Sequence, residues 1–555
     1  MRPASTLLSQ QRGAGKHNPI YFSTTPLRKV EICVLAVFLV SFAVLAWNIR
    51  ASGIAAAYVD PIAQIRVQDE ATYAHAALQM VNGVDWTTPH VAGRLFLLKP
   101  PLLIWLTALS IRCFGFGLFA IRLPAILFGA AGVAAIFAWA ARARSLAAAS
   151  LAAGVLLASP FWQTCSRVAL TDVLCASSAA LALSFVAFDP QLLRRRTRLA
   201  FAILGAASIL AKSVAGVLPF AALLLYWALC PRERRPKIAA LAEIALVSAV
   251  LTAPWYSYQI FVHPKWFWAE NIQSQLLSTG VHWDRNSVIR NLPVVYYLKR
   301  LVQMDPAALL LGAATLMGIF RPRDPLRLLA LCWAATSVAA LCLFQAASLP
   351  YLALVLPAIC VAGAICGPKV FDKPGVAASV VGLLFLVKAA AVGQPWSMRP
   401  SAPPVPGAMA MLSYSEMHRE RSLISVDPDD EFVSLTLPIR GVRYCVLDTT
   451  GILGRFAPYL VQLGVLINTQ EFLRLAELRP EYEKRLKEWG VDSGEAIAST
   501  IVMNAPLEIS AIVNVNPDAD FYLPTRWLGL IADPERSHTL FRYSQDRVFL
   551  LARGN

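Results

Sequence analysis

Apolar residues in this chain come in long blocks broken by short polar turns, and that spacing decides its class. Each block is about the length needed to cross a bilayer as a helix. The blocks fall at 30–49, 119–141, 146–163, 172–189, 199–229, 238–255, 306–320, 327–345, 350–366 and 374–393. The block 199–229 is long enough for two spans hinged near Lys212. The pattern predicts a mainly α fold, a polytopic membrane helix bundle of about 11–13 spans over 30–393. "PPLLIWLTALSIRCFGFG", from Pro100, is too short and interrupted for a span and reads as a helix lying at the outer surface. It belongs to a first large outer loop, 51–118, and a second follows at 256–304.

Past 393 the pattern changes. Residues 394–406 are Pro-rich and read as a linker. From 407 to 555 the composition turns soluble. "SLISVDPDDEFVSLTL", "GVRYCVLDTT", "SAIVNVN" and "RVFLLAR" read as strands and "EFLRLAELRPEYEKRLKEWG" as an amphipathic helix. A small outer α/β domain is expected there.

Composition agrees with the pattern. The 555 residues are 57% hydrophobic and only 15% charged, with mean hydropathy +0.55, whereas a soluble domain carries about a quarter charged residues. The net charge of +16 resolves into clusters. Arg142 with Arg144, "RRRTR" at 194–198, "PRERRPK" at 231–237, "RPRDPLR" at 321–327 and "GPKVFDK" at 367–373 all fall between spans on one side. The positive-inside rule makes that side the cytoplasm, together with the basic tail 1–29. No separate basic domain with interleaved aromatics is present, which argues against nucleic acid as a partner. The ten cysteines form no CxxC pair and mostly sit in apolar blocks, so they read as small core hydrophobes. The block 30–49 is long for a signal peptide and reads as a first anchor.

The informative residues are the ionisable ones at the other, outer ends of the spans. Asp69, Glu70, Lys99, Arg167, Asp172, Lys212, His263 and Glu270 come from separate parts of the chain, and the topology puts them on one side. Ionisable groups at membrane depth are functional candidates by default. Lys99, Arg167 and Lys212 are cations on the side that disfavours them, and an anionic ligand such as phosphate would explain their retention. Asp69 and Asp172 suit a base or a group that orients the cations. Bland readings stand beside these. Arg167 and Asp172 could pair only with each other, Lys212 could snorkel to the interface, and Glu70 could face solvent.

With those residues in view, the chain resembles a family. "QDEATYAHAALQMVNGVDWTTPHVAGRLFLLKPPLLIWL" looks like the first outer loop of the bacterial aminoarabinose transferase and protein O-mannosyltransferase group, which are GT-C class glycosyltransferases. The matching positions are Asp69-Glu70, Tyr73, Asp85-Trp86, Pro89-His90 and Lys99-Pro100-Pro101. "SRVALTDVL", carrying Arg167 and Asp172, "ILAKSVAGVLPF", carrying Lys212, and "APWYSYQI" continue the likeness.

The resemblance implies a glycosyltransferase that moves a hexosyl or pentosyl group from a polyprenyl-phosphate donor. The acceptor would be a lipid, glycan or protein at the outer face of the cytoplasmic membrane. Asp69 and Asp172 would be the catalytic carboxylates. Lys99 would hold the lipid phosphate with Arg167 and Lys212 near it, and Glu70, Tyr73, His90 and Glu270 would complete the substrate site. Two departures stand out. The aminoarabinose branch reads Glu-Lys-Pro-Pro and Glu-His-Phe, a pair able to hold a metal. Here Leu98 and Asn271 occupy those positions, and neither is a good ligand, so no metal or other cofactor is expected. The branch also often reads Ser-Lys-Leu-Pro, where Ser348 stands in the Lys place. Rival readings are a multi-span transporter or flippase of an anionic or lipid-linked substrate, and a relative that binds without catalysis. The one-sided charges and the lack of an internal repeat disfavour the transporter.

Overall fold

A computed structural model describes residues 27–47, 68–83, 85–91, 94–278, 293–318, 324–343 and 348–392, with short pieces beyond, chiefly 422–426, 443–447, 520–525, 539–542 and 547–551. The membrane part is a helix bundle. Helix α1 (Leu27–Ala46) precedes the outer-loop helix α2 (Gln68–Val81), a two-stranded hairpin β1 (His90–Val91) and β2 (Arg94–Leu95), and α3 (Leu102–Phe114). Then follow α4 (Leu118–Ala143), α5 (Leu146–Ala158), α6 (Pro160–Arg167), α7 (Thr171–Phe188), α8 (Arg195–Lys212), α9 (Leu218–Leu229) and α10 (Ile238–Val262). A short α11 (Pro264–Phe267) runs into a π-helix, Trp268–Ser278. The bundle closes with α12 (Pro293–Met304), α13 (Pro306–Leu316), α14 (Pro325–Leu343), α15 (Leu352–Cys366) and α16 (Pro374–Val392).

Among the described residues, six helical stretches are long and apolar enough to cross a bilayer, and α5 with α6 forms a bent seventh. The protein is a multi-pass membrane protein. One of the six, Arg195–Leu229, counts as 35 continuous residues yet folds back on itself. The Phe220 ring packs edge-on against Phe201 at 5.4 Å, and the Tyr226 hydroxyl donates to the Pro190 carbonyl at 3.3 Å. Neither contact is possible along a straight helix. The reversal comes at Ser213, whose φ of +38° lies in the left-handed region, followed by a 3₁₀ turn, Ser213–Val217. The expected hinge near Lys212 is therefore present. The span expected at 146–163 differs, because the chain bends by 65° at Ser159-Pro160. Pro160 suits the first turn of α6 but not the interior of a longer helix.

Packing between helices relies on small residues. A Cβ at Gly363 of α15 would run into the Leu311 carbonyl of α13, and one at Gly132 of α4 into Ser177 and Trp162. Close approach of this kind is how helices associate where lipid offers no hydrophobic gain. The Trp139 and Trp333 rings stack at 5.8 Å between α4 and α14. At the end of the bundle that carries the basic turns, Arg144 donates to Asp372 at 2.9 Å and to the carbonyls of Ala364, Gly367 and Pro368, closing the end of α15.

The C-terminal region contributes a five-stranded sheet of order β4-β3-β5-β7-β6. Strand β3 (Ser422–Val426) pairs in parallel with β4 (Arg443–Leu447) and β5 (Asp520–Pro524), while β7 (Arg547–Leu551) pairs antiparallel with β5 and with β6 (Thr539–Arg542). Three of the expected strands are thus placed, at 422, 443 and 547. The expected strands at 431–437 and 510–516, the helix at 471–490 and the linker 394–406 lie outside the described residues.

Candidate active site

The bundle gathers charge at helix ends. Asp69 stands in the first turn of α2 and Asp172 in the first turn of α7, while Lys212 ends α8. Carboxylates at helix N-termini and a cation at a C-terminus are the arrangement helix dipoles favour. Lys212 donates to the Asp172 carboxylate and sits 4.4 Å from the centre of the Tyr351 ring. Lys99, in the segment that leads into α3, donates to the side chain of Gln275 on the π-helix. Asp69 feels the charges of Lys99, Asp172 and Lys212 together. Segments far apart in the sequence thus meet at one point.

Electrostatics at this point are set by a recess in the protein. Asp69 is accessible to solvent, yet the mass around it raises its pKa above the ordinary carboxylate value, a rise that Lys99 and Lys212 oppose. Lys99 is pushed down to about 8, first by desolvation and then by its neighbour Lys212. A carboxyl held above its ordinary pKa therefore faces two cations.

An apolar cavity of about 870 Å³ lies beside the cluster, between α9, α12, α13, α14 and α15. It shares Leu341 and Val355 with a smaller pocket whose lining includes Lys212, Gln275 and Tyr351. Leu229, Leu316 and Val338 on the large cavity's wall are exposed at the bundle surface.

The other expected residues are placed differently. Glu70 is fully buried, and its two oxygens accept from Arg122 Nε and Nη2 at 2.8 Å each and from the Ala169 amide at 2.8 Å. It locks α2 to α4 and does not line the recess, which corrects both its expected part in substrate contact and its solvent-facing alternative. Arg167 is not paired with Asp172. Its Nη2 donates to the Trp47 carbonyl at 2.8 Å, and the charge it feels is that of Arg122. Tyr73 is buried beneath the cluster, hydrogen-bonded to Thr171 and edge-on to Phe96 at 6.1 Å. His90 lies apart, 2.8 Å from the Thr88 carbonyl and near His263. Glu270 accepts from the Leu97 amide at 2.5 Å, and Asn271 donates to the Leu97 carbonyl at 3.1 Å. Leu98, at the other expected metal position, has no donor atom in its side chain.

Arg122, Tyr351 and Gln275 were not singled out from the sequence. Arg122 carried a usable signal, since a lone cation inside an apolar block calls for a buried anion. Tyr351 and Gln275 carried none.

The arrangement can now be set beside known proteins. The crystal structure of ArnT from Cupriavidus metallidurans bound to undecaprenyl phosphate superposes with a TM-score of 0.58 at 17% identity, covering 96% of this chain and 100% of that one. The fold is that of ArnT. ArnT from the same organism in the apo state gives a TM-score of 0.60 at 18% identity, over 95% and 99% of the two chains. Archaeal oligosaccharyltransferase AglB from Archaeoglobus fulgidus, in complex with an inhibitory peptide and a dolichol-phosphate, gives 0.51 at 12% identity, over 90% and 70%. Residues 98–258 match the family described as dolichyl-phosphate-mannose-protein mannosyltransferase. Two undecaprenyl phosphate-alpha-4-amino-4-deoxy-L-arabinose arabinosyl transferases also align. That of Pectobacterium carotovorum is 28% identical over 312 residues, 52% of each chain. That of Pseudomonas aeruginosa is 28% identical over 235 residues, 37% of this chain and 39% of its own. At its longest, the match spans about half the length of these curated relatives. The resemblance read from the first outer loop is matched at the level of fold by ArnT.

Proposed function

We propose that this protein is a glycosyltransferase that takes a sugar from a polyprenyl-phosphate donor and passes it to a lipid or glycan acceptor. One observation carries the reading: of a cluster of two carboxylates and two lysines, Lys212 lines a small pocket that shares Leu341 and Val355 with a large apolar cavity. A ligand that is anionic at one end and a long hydrocarbon at the other fits both parts. The ArnT fold, solved elsewhere with undecaprenyl phosphate, supports the same donor. The names of the aligned relatives favour a pentose of the aminoarabinose type.

In this reading Asp69 takes the proton from the acceptor hydroxyl as its oxygen bonds to the anomeric carbon. The bond from that carbon to the phosphate oxygen breaks, and the phosphate leaves with the electron pair. Lys99 and Lys212 face the developing phosphate charge, preorganised stabilisation of the kind that lowers such barriers most. Asp172 holds Lys212 in place. The carboxylates also favour the oxocarbenium-like centre between them and the cations. The clusters of Arg and Lys between spans favour the outer, periplasmic face of the inner membrane for the site. No metal takes part between Leu98 and Asn271 in this reading, because a hydrocarbon side chain cannot ligate and a lone amide is a poor ligand.

The test is reconstitution of the purified protein in vesicles with a polyprenyl-phosphate-linked aminopentose and extracted envelope lipids. Mass spectrometry should find a glycosylated acceptor and free polyprenyl phosphate, at a rate unchanged by a chelator. Movement of the donor across the vesicle wall without any covalent transfer would favour the transporter reading instead.

A further inference from the structure

Leu97 lies just past the β1–β2 hairpin, where the chain has lost its strand partner. The last hairpin-type bond is from the Phe96 amide to the Pro89 carbonyl at 2.8 Å. Leu97 is fully buried, so its amide and carbonyl both need partners. Neither partner comes from backbone. Glu270 accepts from the amide at 2.5 Å and Asn271 donates to the carbonyl at 3.1 Å, and both of these side chains are themselves buried. A fold that only needed a loop covered could have used an apolar side chain in place of either.

The same π-helix holds Lys99 itself through Gln275. Its i→i+5 bonding brings residues five apart close to one face, as with Glu270 and Gln275, and π-turns are found most often at functional sites. Downstream, Pro100 and Pro101 fix the backbone and lend no amide. Lys99 therefore projects from a segment fixed on both sides, by the π-helix before it and by two prolines after it.

We propose that Glu270 and Asn271 are positioning residues that clamp the Leu97 peptide and so hold Lys99 at the donor's phosphate. This rests on the reading of Lys99 as a phosphate contact. The clamp joins the first outer loop to the second, so the two loops form one site rather than two neighbouring ones.

The test measures the affinity of full-length protein in nanodiscs for undecaprenyl phosphate, with thermal unfolding as the check on folding. Glu270→Ala should weaken binding about tenfold, the scale of a lost charge-assisted hydrogen bond. Glu270→Gln, whose amide oxygen still accepts from Leu97, should restore it. In a Lys99→Ala background, Glu270→Ala should cost nothing further, because its effect passes through the lysine. If Glu270→Ala unfolds the protein, Asn271→Leu carries the same three comparisons. Wild-type affinity in the folded Glu270→Ala or Asn271→Leu protein, or additive losses with Lys99→Ala, overturns the clamp. Unchanged binding in Lys99→Ala alone overturns instead the phosphate role on which it rests.

Discussion

Asp69 and Glu70 are neighbours in sequence and opposites in structure. Glu70 is sealed, with both oxygens committed to Arg122 and a backbone amide. Asp69 is accessible and shares a recess with two lysines and a second carboxylate. Successive residues at a helix N-terminus point in different directions, so one turn of α2 serves two purposes. A buried carboxylate with both oxygens engaged fixes geometry, while one that is reachable and raised in pKa can exchange a proton. The difference separates a structural charge from a chemical one more sharply than membrane depth alone.

That contrast can be broken or sharpened by experiment. Asp69→Asn should cut transfer by about 10²–10⁴-fold, the range for losing a general base, with donor binding retained in a titration. Equal turnover would remove Asp69 from the chemistry. Arg122→Ala should act on folding, leaving Glu70 buried without its partner at a cost of about 3–5 kcal/mol. Thermal unfolding should show it, and a normal melting curve with lost transfer would place Arg122 among the chemical charges instead. Lys99→Ala should weaken donor affinity by about ten- to a hundredfold, as expected for a charge-assisted bond of about 1.5–3 kcal/mol. The gentlest probe is pH. Transfer should rise as pH climbs through the raised Asp69 pKa, since the base must be unprotonated. It should fall as pH climbs through about 8, where Lys99 loses its charge. A kcat/KM profile flat through pH 8 would detach Lys99 from the rate.

The fold was largely legible because apolar block length is a strong signal, and the turns carry their own charges. The hinge at Lys212 and the short helix α3 followed from it. The bend at Ser159-Pro160 did not, because block length cannot tell a straight span from a broken one. For the site, the sequence singled out Asp69, Lys99, Asp172 and Lys212 as ionisable groups at span ends, and the structure brings these four together. It could not say which charges face each other. Arg167 lies only five positions from Asp172, yet the lysine that closes on that carboxylate comes from another helix. Glu270 looked like a substrate contact because its charge was visible and its peptide partner was not.

The cavity beside the cluster has a consequence for how the protein meets its ligand. Its walls are mostly hydrocarbon and several of its lining residues are exposed at the surface of the apolar bundle, which would open it to lipid. A ligand using that door arrives by diffusion in two dimensions and is counted per lipid molecule, not per litre of water. Dilution of the buffer would leave its occupancy unchanged, while dilution of the membrane with inert lipid would lower it. A water-soluble sugar phosphate, however abundant, would compete only for the charged end.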